Sequence, residues 1–169
     1  MPPFLMQYSK KTSCMIISLI VILIDQATKL WVKNNLIYAK FYAVLPSLNL
    51  HFIYNKGIAF SMFAASSHNL RLAILYLNIL ISFALIIVIY RADSAKKIFK
   101  VGLCLVLGGA IGNIIDKLYL GTVIDFIDIY WQNWHFATFN IADGAITCGA
   151  VLVFIDQTFK SSSSSMLPK

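Results

Sequence analysis

The chain has 169 residues, of which 59% are hydrophobic and 12% charged, and its mean hydropathy is +0.77. A soluble domain carries about 25% charged residues, so this composition excludes a soluble protein and predicts a single-domain integral membrane protein. The formal net charge of +7 comes from Lys and Arg residues spread thinly along the chain, without the basic runs and stacking aromatics of nucleic-acid binders. The expected acidic partner is therefore membrane phospholipid rather than nucleic acid.

Hydropathy predicts four membrane-spanning helices, near residues 12–31, 71–90, 100–119 and 139–159. An even number of spans places both termini on one side of the membrane. Basic residues flank that side, which predicts that it is cytoplasmic: Lys10, Lys11, Arg91, Lys96, Lys97, Lys100 and Lys160. Residues 160–169 include a serine run and are predicted to form a disordered tail.

The two outer loops are predicted to rest on the membrane surface. In the first, about 32–70, an alternating stretch at 48–54 precedes Asn55-Lys-Gly57 and a second apolar run at 58–63, a pattern typical of a small hairpin or curved sheet. In the second, about 120–138, the segment 123–131 predicts a short stretch lying in the interface plane. Trp31, Trp131 and Trp134 fall at these same ends of the spans, where headgroups favour amphipathic rings.

Five polar residues are predicted to converge at one depth. The helical rise brings Asp25, Asn113, Asp116, Asn140 and Asp143 near the outer third of the membrane. Carboxylates are expensive there and indicate a functional site by default. Two small-residue patterns, Gly108-x-x-x-Gly112 and Ala145-x-x-x-Gly149, allow the third and fourth spans to pack closely, which would bring the polar faces together.

Most of the polar residues also have a structural interpretation. Asp25 lies four residues before Lys29, as in an ion pair on one helix face, and Asp116 suits an orienting carboxylate. Asp128 suits a solvated loop charge. No cofactor or metal is predicted, because the histidines and cysteines lack ligand spacing, and Cys14, Cys104 and Cys148 suit small packing positions.

Asp125 and Asp143 fit a structural role less well, since neither has a basic residue within one helical turn and Asn140 is positioned to hydrogen-bond a carboxylate. Two carboxylates that converge without a counter-ion tend to share a proton. One can then act as general base on water while the other polarises a carbonyl, which is aspartic-protease chemistry.

Two other functions remain open at this stage. Intramembrane carboxylates also form proton or cation relays in transport proteins, although here they cluster at one depth. A lipid-binding or assembly factor could use the aromatic outer loops for docking, but it would leave the carboxylate pair unexplained.

The chain resembles the bacterial lipoprotein signal peptidases (signal peptidase II) over about residues 22–150. Five blocks carry the resemblance: Asp25-Gln-Ala-Thr-Lys29, Asn55-Lys-Gly-Ile-Ala-Phe60, Gly108-Gly-Ala-Ile-Gly-Asn-Ile-Ile-Asp-Lys117, Val123-Ile-Asp-Phe126 and Phe139-Asn-Ile-Ala-Asp143. The resemblance implies one inner-membrane peptidase domain that removes the signal peptide of a prolipoprotein just before its diacylglyceryl-modified cysteine. It also implies four helices with a small periplasmic sheet cradle and a short periplasmic interfacial helix.

By motif matching, Asp125 and Asp143 correspond to the family's catalytic pair. Nine further positions are implied to shape the site or contact the substrate and the cyclic peptide globomycin: Asp25, Lys29, Asn55, Gly57, Gly108, Asn113, Asp116, Lys117 and Asn140. Lys117 stands where the family usually has Arg. The lysine keeps the positive charge but lacks the planar, bidentate guanidinium group. We expect a monomer with its active site near the periplasmic leaflet.

Overall fold

The computed structural model describes residues 3–56, 68–93 and 96–164, with side chains for 15–56, 68–93 and 96–158. The described elements are four α-helices and four β-strands. The helices are α1 (Pro3–Asn35), α2 (His68–Arg91), α3 (Lys97–Leu120) and α4 (Ile141–Ser164). The strands are β1 (Phe41–Leu45), β2 (Leu48–Asn55), β3 (Val123–Trp131) and β4 (Trp134–His135).

The prediction of four spanning helices is confirmed. Among the described residues, four helical stretches are long and apolar enough to cross a membrane: Met15–Asn35, His68–Arg91, Lys97–Leu120 and Ile141–Thr158. Helix α4 continues to Ser164, so the predicted tail is helical over 160–164, because no Pro or Gly interrupts the serine run. Residues 165–169 lie outside the described part of the chain.

Helix α3 is the central helix of the bundle, since it contacts α1, α2 and α4 and is the most buried of the four spans. Glycine lets it approach α4: a Cβ at Gly109 would overlap the carbonyl oxygen of Ala142, and one at Gly149 would overlap that of Gly102. The predicted close packing of α3 on α4 is therefore confirmed.

The predicted small-residue pair on α3 faces a different neighbour. A Cβ at Gly108 would meet the backbone of Ser18, and one at Gly112 would meet the carboxylate of Asp25, both on α1. Gly108 and Gly112 therefore allow α1 to approach α3 closely, while Gly102 and Gly109 allow α4 to do so. Neighbouring positions such as 108 and 109 serve different helices because successive residues on a helix point about 100° apart.

The strands form one antiparallel sheet in the order β1-β2-β3-β4. The predicted strand at 48–54 is confirmed as β2. It pairs with the preceding β1 through a tight turn in which Ser47 has φ of 68°, and on its other side with β3. The apolar run at 58–63 lies outside the described residues.

The segment at 123–131, predicted to be a short stretch in the interface plane, forms strand β3. It pairs with β2, which is distant in sequence, and the pairing shifts register at a bulge between Leu50 and Ile53. The described connection from α3 to α4 contains no helix.

Two features attach the sheet to the outer end of the bundle. Gly121 ends α3 in a left-handed conformation, with φ of 69°, and its N–H donates to the Lys117 carbonyl, so that β3 begins two residues later. Val32 of α1 packs with Phe52, Ile124 and Phe126 in a buried apolar cluster. The end of the bundle that carries the sheet is called the sheet end below.

Two of the three cysteines differ from the packing role predicted for them. Cys104 is fully buried and disulfide-bonded, which the odd count of cysteines does not prevent. Cys148 is a free, exposed thiol, and the side chain of Cys14 lies outside the described residues.

Candidate active site

Asp125 lies on β3 with 1% of its surface exposed, and amide groups hydrogen-bond both of its carboxylate oxygens. Asn140 Nδ2 donates to Oδ1 at 2.6 Å, and Asn55 Nδ2 donates to Oδ2 at 2.8 Å. The register of the sheet explains the second contact, because Ile53 pairs with Asp125 and Asn55 lies two residues further along β2, on the same face. Strand pairing therefore fixes the orientation of this carboxylate.

Asp143 lies in the first turn of α4 and forms a reciprocal capping box with Asn140. The backbone N–H of Asp143 donates to Asn140 Oδ1 at 2.9 Å, and the backbone N–H of Asn140 donates to Asp143 Oδ2 at 3.3 Å. The other carboxylate oxygen, Oδ1, accepts from Asn113 Nδ2 at 2.8 Å. The start of α4 thus holds the second aspartate in place.

Asn140 connects the two aspartates. The side chain is fully buried and uses both ends of its amide: Oδ1 caps the helix at Asp143, while Nδ2 donates to Asp125. The same Nδ2 also lies 3.2 Å from Asn113 Oδ1 and from the Ile124 carbonyl oxygen. One side chain therefore sets the position of both carboxylates.

The environment of Asp125 favours its protonated form. Burial raises the pKa of Asp125 to about 7, and the nearby charge of Asp143 acts in the same direction. The amide donors of Asn55 and Asn140 and the charge of Lys29 act against this rise in pKa. At neutral pH this carboxyl group is therefore poised between its two protonation states.

Beside the two aspartates, Lys29 forms a buried charged group with Asp25 of α1 and Asp116 of α3. Its ammonium Nζ lies 2.8 Å from Asp25 Oδ2, 3.0 Å from Asp116 Oδ2 and 2.9 Å from Asn113 Oδ1, so each of its three hydrogens has an acceptor. The expected ion pair of Asp25 with Lys29 is confirmed. Asp25 Oδ1 also accepts the backbone N–H of Ala142 at 2.9 Å, so α1 caps the start of α4.

Asp116 connects this charged group to the sheet. Its Oδ2 accepts the backbone N–H of Ile124 at 3.0 Å, next to Asp125, which fits the orienting role predicted for it. Gln26 donates from Nε2 to Asp116 Oδ1 at 3.0 Å and to the Gly112 carbonyl at 3.1 Å. The sequence prediction missed Gln26, although its place directly after Asp25 is a usable signal.

These contacts bring the five residues predicted at one depth, together with Asp125 and Lys29, into one hydrogen-bonded group at the sheet end. We call this group the polar cluster: Asp25, Lys29, Asn113, Asp116, Asp125, Asn140 and Asp143. Within the described residues, no three His, Cys or Asp side chains form a group that could hold a metal ion.

The sequence matches the family model described as signal peptidase (SPase) II over residues 17–159. The chain belongs to the signal peptidase II family. Proteins named lipoprotein signal peptidase are similar to it: one from Blochmanniella pennsylvanica is 37% identical over 82% of this chain and 84% of its own length, and one from Burkholderia mallei is 43% identical over 83% and 84%.

Two solved bacterial membrane enzymes share the fold of this signal peptidase II member. One superposes with a TM-score of 0.80 at 27% identity and covers 94% of this chain and 93% of its own, and the other has a TM-score of 0.75 at 29% identity and covers 85% and 91%. With four apolar helices and relatives of this kind, the chain is a multi-pass protein of the bacterial inner membrane.

Among the described positions that motif matching assigns to the signal peptidase II site, Asn55, Gly108 and Lys117 lie outside the seven residues of the polar cluster. Asn55 donates a hydrogen bond to Asp125 of that cluster. Gly108 packs against Ser18 of α1. Lys117 is partly exposed in the last turn of α3 and lines a neighbouring cavity. Gly57 lies outside the described residues, and no structural role is given to it.

The prediction that Asp128 is a solvated loop charge was wrong, because only 1% of its surface is exposed. Asn49 Nδ2 donates to Asp128 Oδ2 at 2.9 Å, and His135 Nδ1 lies 2.9 Å from both of its carboxylate oxygens. His51 lies near by and stacks on Phe41. Burial lowers the pKa of His51, while the charge of Asp128 opposes this change. Cross-strand pairing of Asn49 with Asp128 buries the carboxylate.

Proposed function

We propose that this protein is an aspartyl endopeptidase that removes the signal peptide from prolipoproteins, cutting just before the diacylglyceryl-modified cysteine. Membership of the signal peptidase II family and relatives named lipoprotein signal peptidase support this substrate class. The observation that carries the mechanism is the buried amide of Asn140, which hydrogen-bonds Asp125 and caps the helix at Asp143. Two carboxyl groups held by one side chain are suited to act on one peptide bond.

The two aspartates have different roles in this mechanism. Asp125, whose pKa burial raises to about 7, carries the shared proton and donates it to the oxygen of the scissile carbonyl. Asp143 is the general base that removes a proton from the attacking water. The water oxygen forms a new bond to the carbonyl carbon, which gives a tetrahedral diol.

Breakdown of the diol restores both groups. Asp143 passes its proton to the nitrogen of the leaving cysteine as the carbon–nitrogen bond breaks, and Asp125 recovers a proton from a hydroxyl of the diol as the new carboxyl group forms. No cofactor takes part in these proton transfers, and each carboxyl group ends in the state in which it began.

Lys29 and its partners serve as positioning residues in this proposal. Lys29 connects α1 to α3 through Asp25 and Asp116, and Asp25 connects α1 to the start of α4. The first turn of α4, which carries Asp143, is therefore fixed from two sides. Removing one of these charges therefore moves a catalytic carboxylate out of position, but it does not remove a group that transfers a proton.

We place the active site near the periplasmic leaflet, with the sheet and the polar cluster on the periplasmic side and both termini in the cytoplasm. Trp31, Trp131 and Trp134 support this placement, because they are at least half exposed and lie at the sheet end, where headgroups favour amphipathic rings. The lipid of the substrate then stays in the outer leaflet while its peptide reaches the two carboxylates. Globomycin-type cyclic peptides are expected to compete for the same site.

The proposal is tested by Asp125→Asn and Asp143→Asn, assayed on a diacylglyceryl-modified prolipoprotein and on its unlipidated form. Each variant keeps the shape of the side chain and removes the proton-transfer group, so cleavage should fall by about 10³-fold or more. Asp93→Asn is the matched control, because Asp93 is exposed in the loop after α2 and far from the polar cluster in sequence.

Wild type and Asp93→Asn should cut only the lipidated precursor. Substantial turnover by either Asp125→Asn or Asp143→Asn, with the protein folded, would refute the proposed pair. Equal cleavage of the unlipidated precursor would refute the proposed substrate.

A further inference from the structure

A cavity of about 320 Å³ lies beside the polar cluster at the sheet end. Its walls come from the end of β2, the first turns of α2, the last turn of α3 and the Gly121–Thr122 link to β3. Asn55 connects the cavity to the polar cluster, because it lines the cavity and donates a hydrogen bond to Asp125. The cavity is therefore next to the proposed active site without containing either aspartate.

The polar part of the cavity is basic. Lys56, His68, Arg71 and Lys117 line it, and none of the described lining residues is acidic. These residues come from three separate segments, the end of β2, the first turn of α2 and the last turn of α3, so the fold concentrates the positive charge and no sequence run shows it. A cavity lined by an arginine, two lysines and a histidine is suited to an anion.

Arg71 gives an independent sign of a missing ligand. Its Nε atom is buried and has no hydrogen-bond partner among the described residues. A buried donor without an acceptor is costly, and a charged one more so, which is why such atoms are rare in folded proteins. The planar guanidinium group of Arg is matched to the paired oxygens of a phosphate.

The rest of the cavity wall is apolar and opens towards lipid. Leu72, Leu75 and Leu120 line it, and Leu72 is exposed on α2. Helix α2 has only Ser82 and Ile89 buried among its residues, so most of its surface faces the surrounding bilayer. A ligand with an anionic head and an apolar tail fits both parts of this wall, whereas inorganic phosphate leaves the apolar part unused.

We propose that this cavity binds the phosphate group of an anionic phospholipid, with Arg71 as the main contact and the acyl chains lying along α2. The proposed substrate carries a diacylglyceryl thioether, which has no phosphate, so the bound lipid is distinct from the substrate. Lys117 interacts electrostatically with both Asp125 and Asp143, and Asn55 contacts Asp125 directly. Occupation of the cavity therefore fixes two groups that act on the carboxylate pair, and cleavage is faster in anionic bilayers.

Binding is tested on the purified full-length chain in detergent by native mass spectrometry. The probes are phosphatidylglycerol, phosphatidylcholine and inorganic phosphate. Phosphatidylglycerol should bind more tightly than phosphatidylcholine, and Arg71→Gln should weaken this binding about ten-fold, the effect of losing one charge-assisted hydrogen bond. Arg91→Gln is the matched control, because it makes the same change at the opposite end of α2.

Three results would overturn the proposal. They are equal binding of the two lipids, equal losses in Arg71→Gln and Arg91→Gln, and displacement of phosphatidylglycerol by inorganic phosphate at matched concentration, which would identify a free-anion site.

The effect on cleavage rests on the proposed function and is measured separately. In proteoliposomes, adding phosphatidylglycerol to phosphatidylcholine should stimulate wild type and Arg91→Gln but not Arg71→Gln. Equal stimulation of all three would refute the coupling. The lipid-binding measurement repeated on Asp143→Asn does not depend on catalysis, so failure of the proposed function and failure of the lipid site give different results.

Discussion

Asn140 donates a 2.6 Å hydrogen bond to Asp125 from the same side chain whose oxygen caps the first turn of α4. The amide therefore has two separable tasks, capping of a helix and positioning of a carboxyl group. Serine can replace the first, since its hydroxyl is a good N-cap acceptor, but it is too short to replace the second.

We expect Asn140→Ser to lower the free energy of unfolding less than Asn140→Ala does, because serine retains the cap while both variants lose the buried donor. The same variant should lower kcat by about 10- to 100-fold, since Asp125 loses its closest donor. Asn140→Ala should lose both, with an added cost of about 1 kcal/mol in stability. Thermal unfolding in detergent and steady-state cleavage distinguish the two tasks. Equal kcat values for Asn140→Ser and wild type would show that the Asp125 contact is dispensable.

The pH dependence of cleavage should follow Asp125. Burial raises the pKa of this group to about 7, and the proposed reaction needs its protonated form, so kcat/KM should fall as the pH rises through about 7. Asn55→Ala removes a donor that opposes the rise in pKa, and it should therefore move the alkaline limb to higher pH.

The control for this shift is Asn49→Ala, which makes the same change on the same strand. Asn49 donates to Asp128 instead, so its loss should leave the alkaline limb near the wild-type position. An alkaline limb at the same pH in all three proteins would contradict the assignment of the proton to Asp125.

Lys29→Met should cause the largest loss of stability among the positioning residues. Lys29 has 1% of its surface exposed and neutralises Asp25 and Asp116, so its removal leaves buried carboxylates without a counter-charge. The expected cost is about 3–5 kcal/mol in the free energy of unfolding. Lys33→Met, an exposed position one turn further along α1, should cost little.

Adding Asp116→Asn to Lys29→Met should recover part of the loss, because one uncompensated charge is removed. Denaturant unfolding in micelles measures all three variants. Similar stability for Lys29→Met and Lys33→Met would contradict the prediction, because it would mean that Asp25 and Asp116 do not need the charge of Lys29.

Close packing of α3 on α4 can be tested with one pair of glycines on α4. Gly149→Ala places a methyl group against the Gly102 carbonyl and Val106, and it should cost about 1–3 kcal/mol. Gly144→Ala meets no atom within 4 Å, so it should leave stability unchanged or raise it by up to about 1 kcal/mol. Thermal unfolding compares the two. A stable Gly149→Ala variant would show that the two helices can move apart freely.

Much of the site could be predicted because its signals are local or follow from the membrane. The spans, the shared depth of Asp25, Asn113 and Asp143, and the Asn140–Asp143 pair at the start of a helix depend on hydropathy, on helical rise and on residues three apart. Each of these can be counted along the sequence without knowing which elements touch.

The missed features depend on contacts between distant segments. Burial of Asp128 requires Asn49 on the neighbouring strand and His135 beyond a turn, and neither is visible in the Ile-Asp-Phe-Ile-Asp pattern. The facing of Gly108 towards α1 depends on how α3 is rotated about its axis, which spacing alone does not fix. The basic cavity draws Lys56, Arg71 and Lys117 from three segments that are far apart in sequence.

The way Asp25 and Lys29 connect the first helix to the third and fourth has a consequence for biosynthesis. The polar cluster draws residues from position 25 to position 143, so a chain contains all of it only when it extends through the first turn of α4. A growing chain halted before α4 lacks Asn140 and Asp143 and leaves Asp25 without its contact to Ala142. A newly made molecule with the proposed catalytic pair is therefore inert towards neighbouring precursors until α4 has entered the bilayer, and insertion of α4 is the activating event.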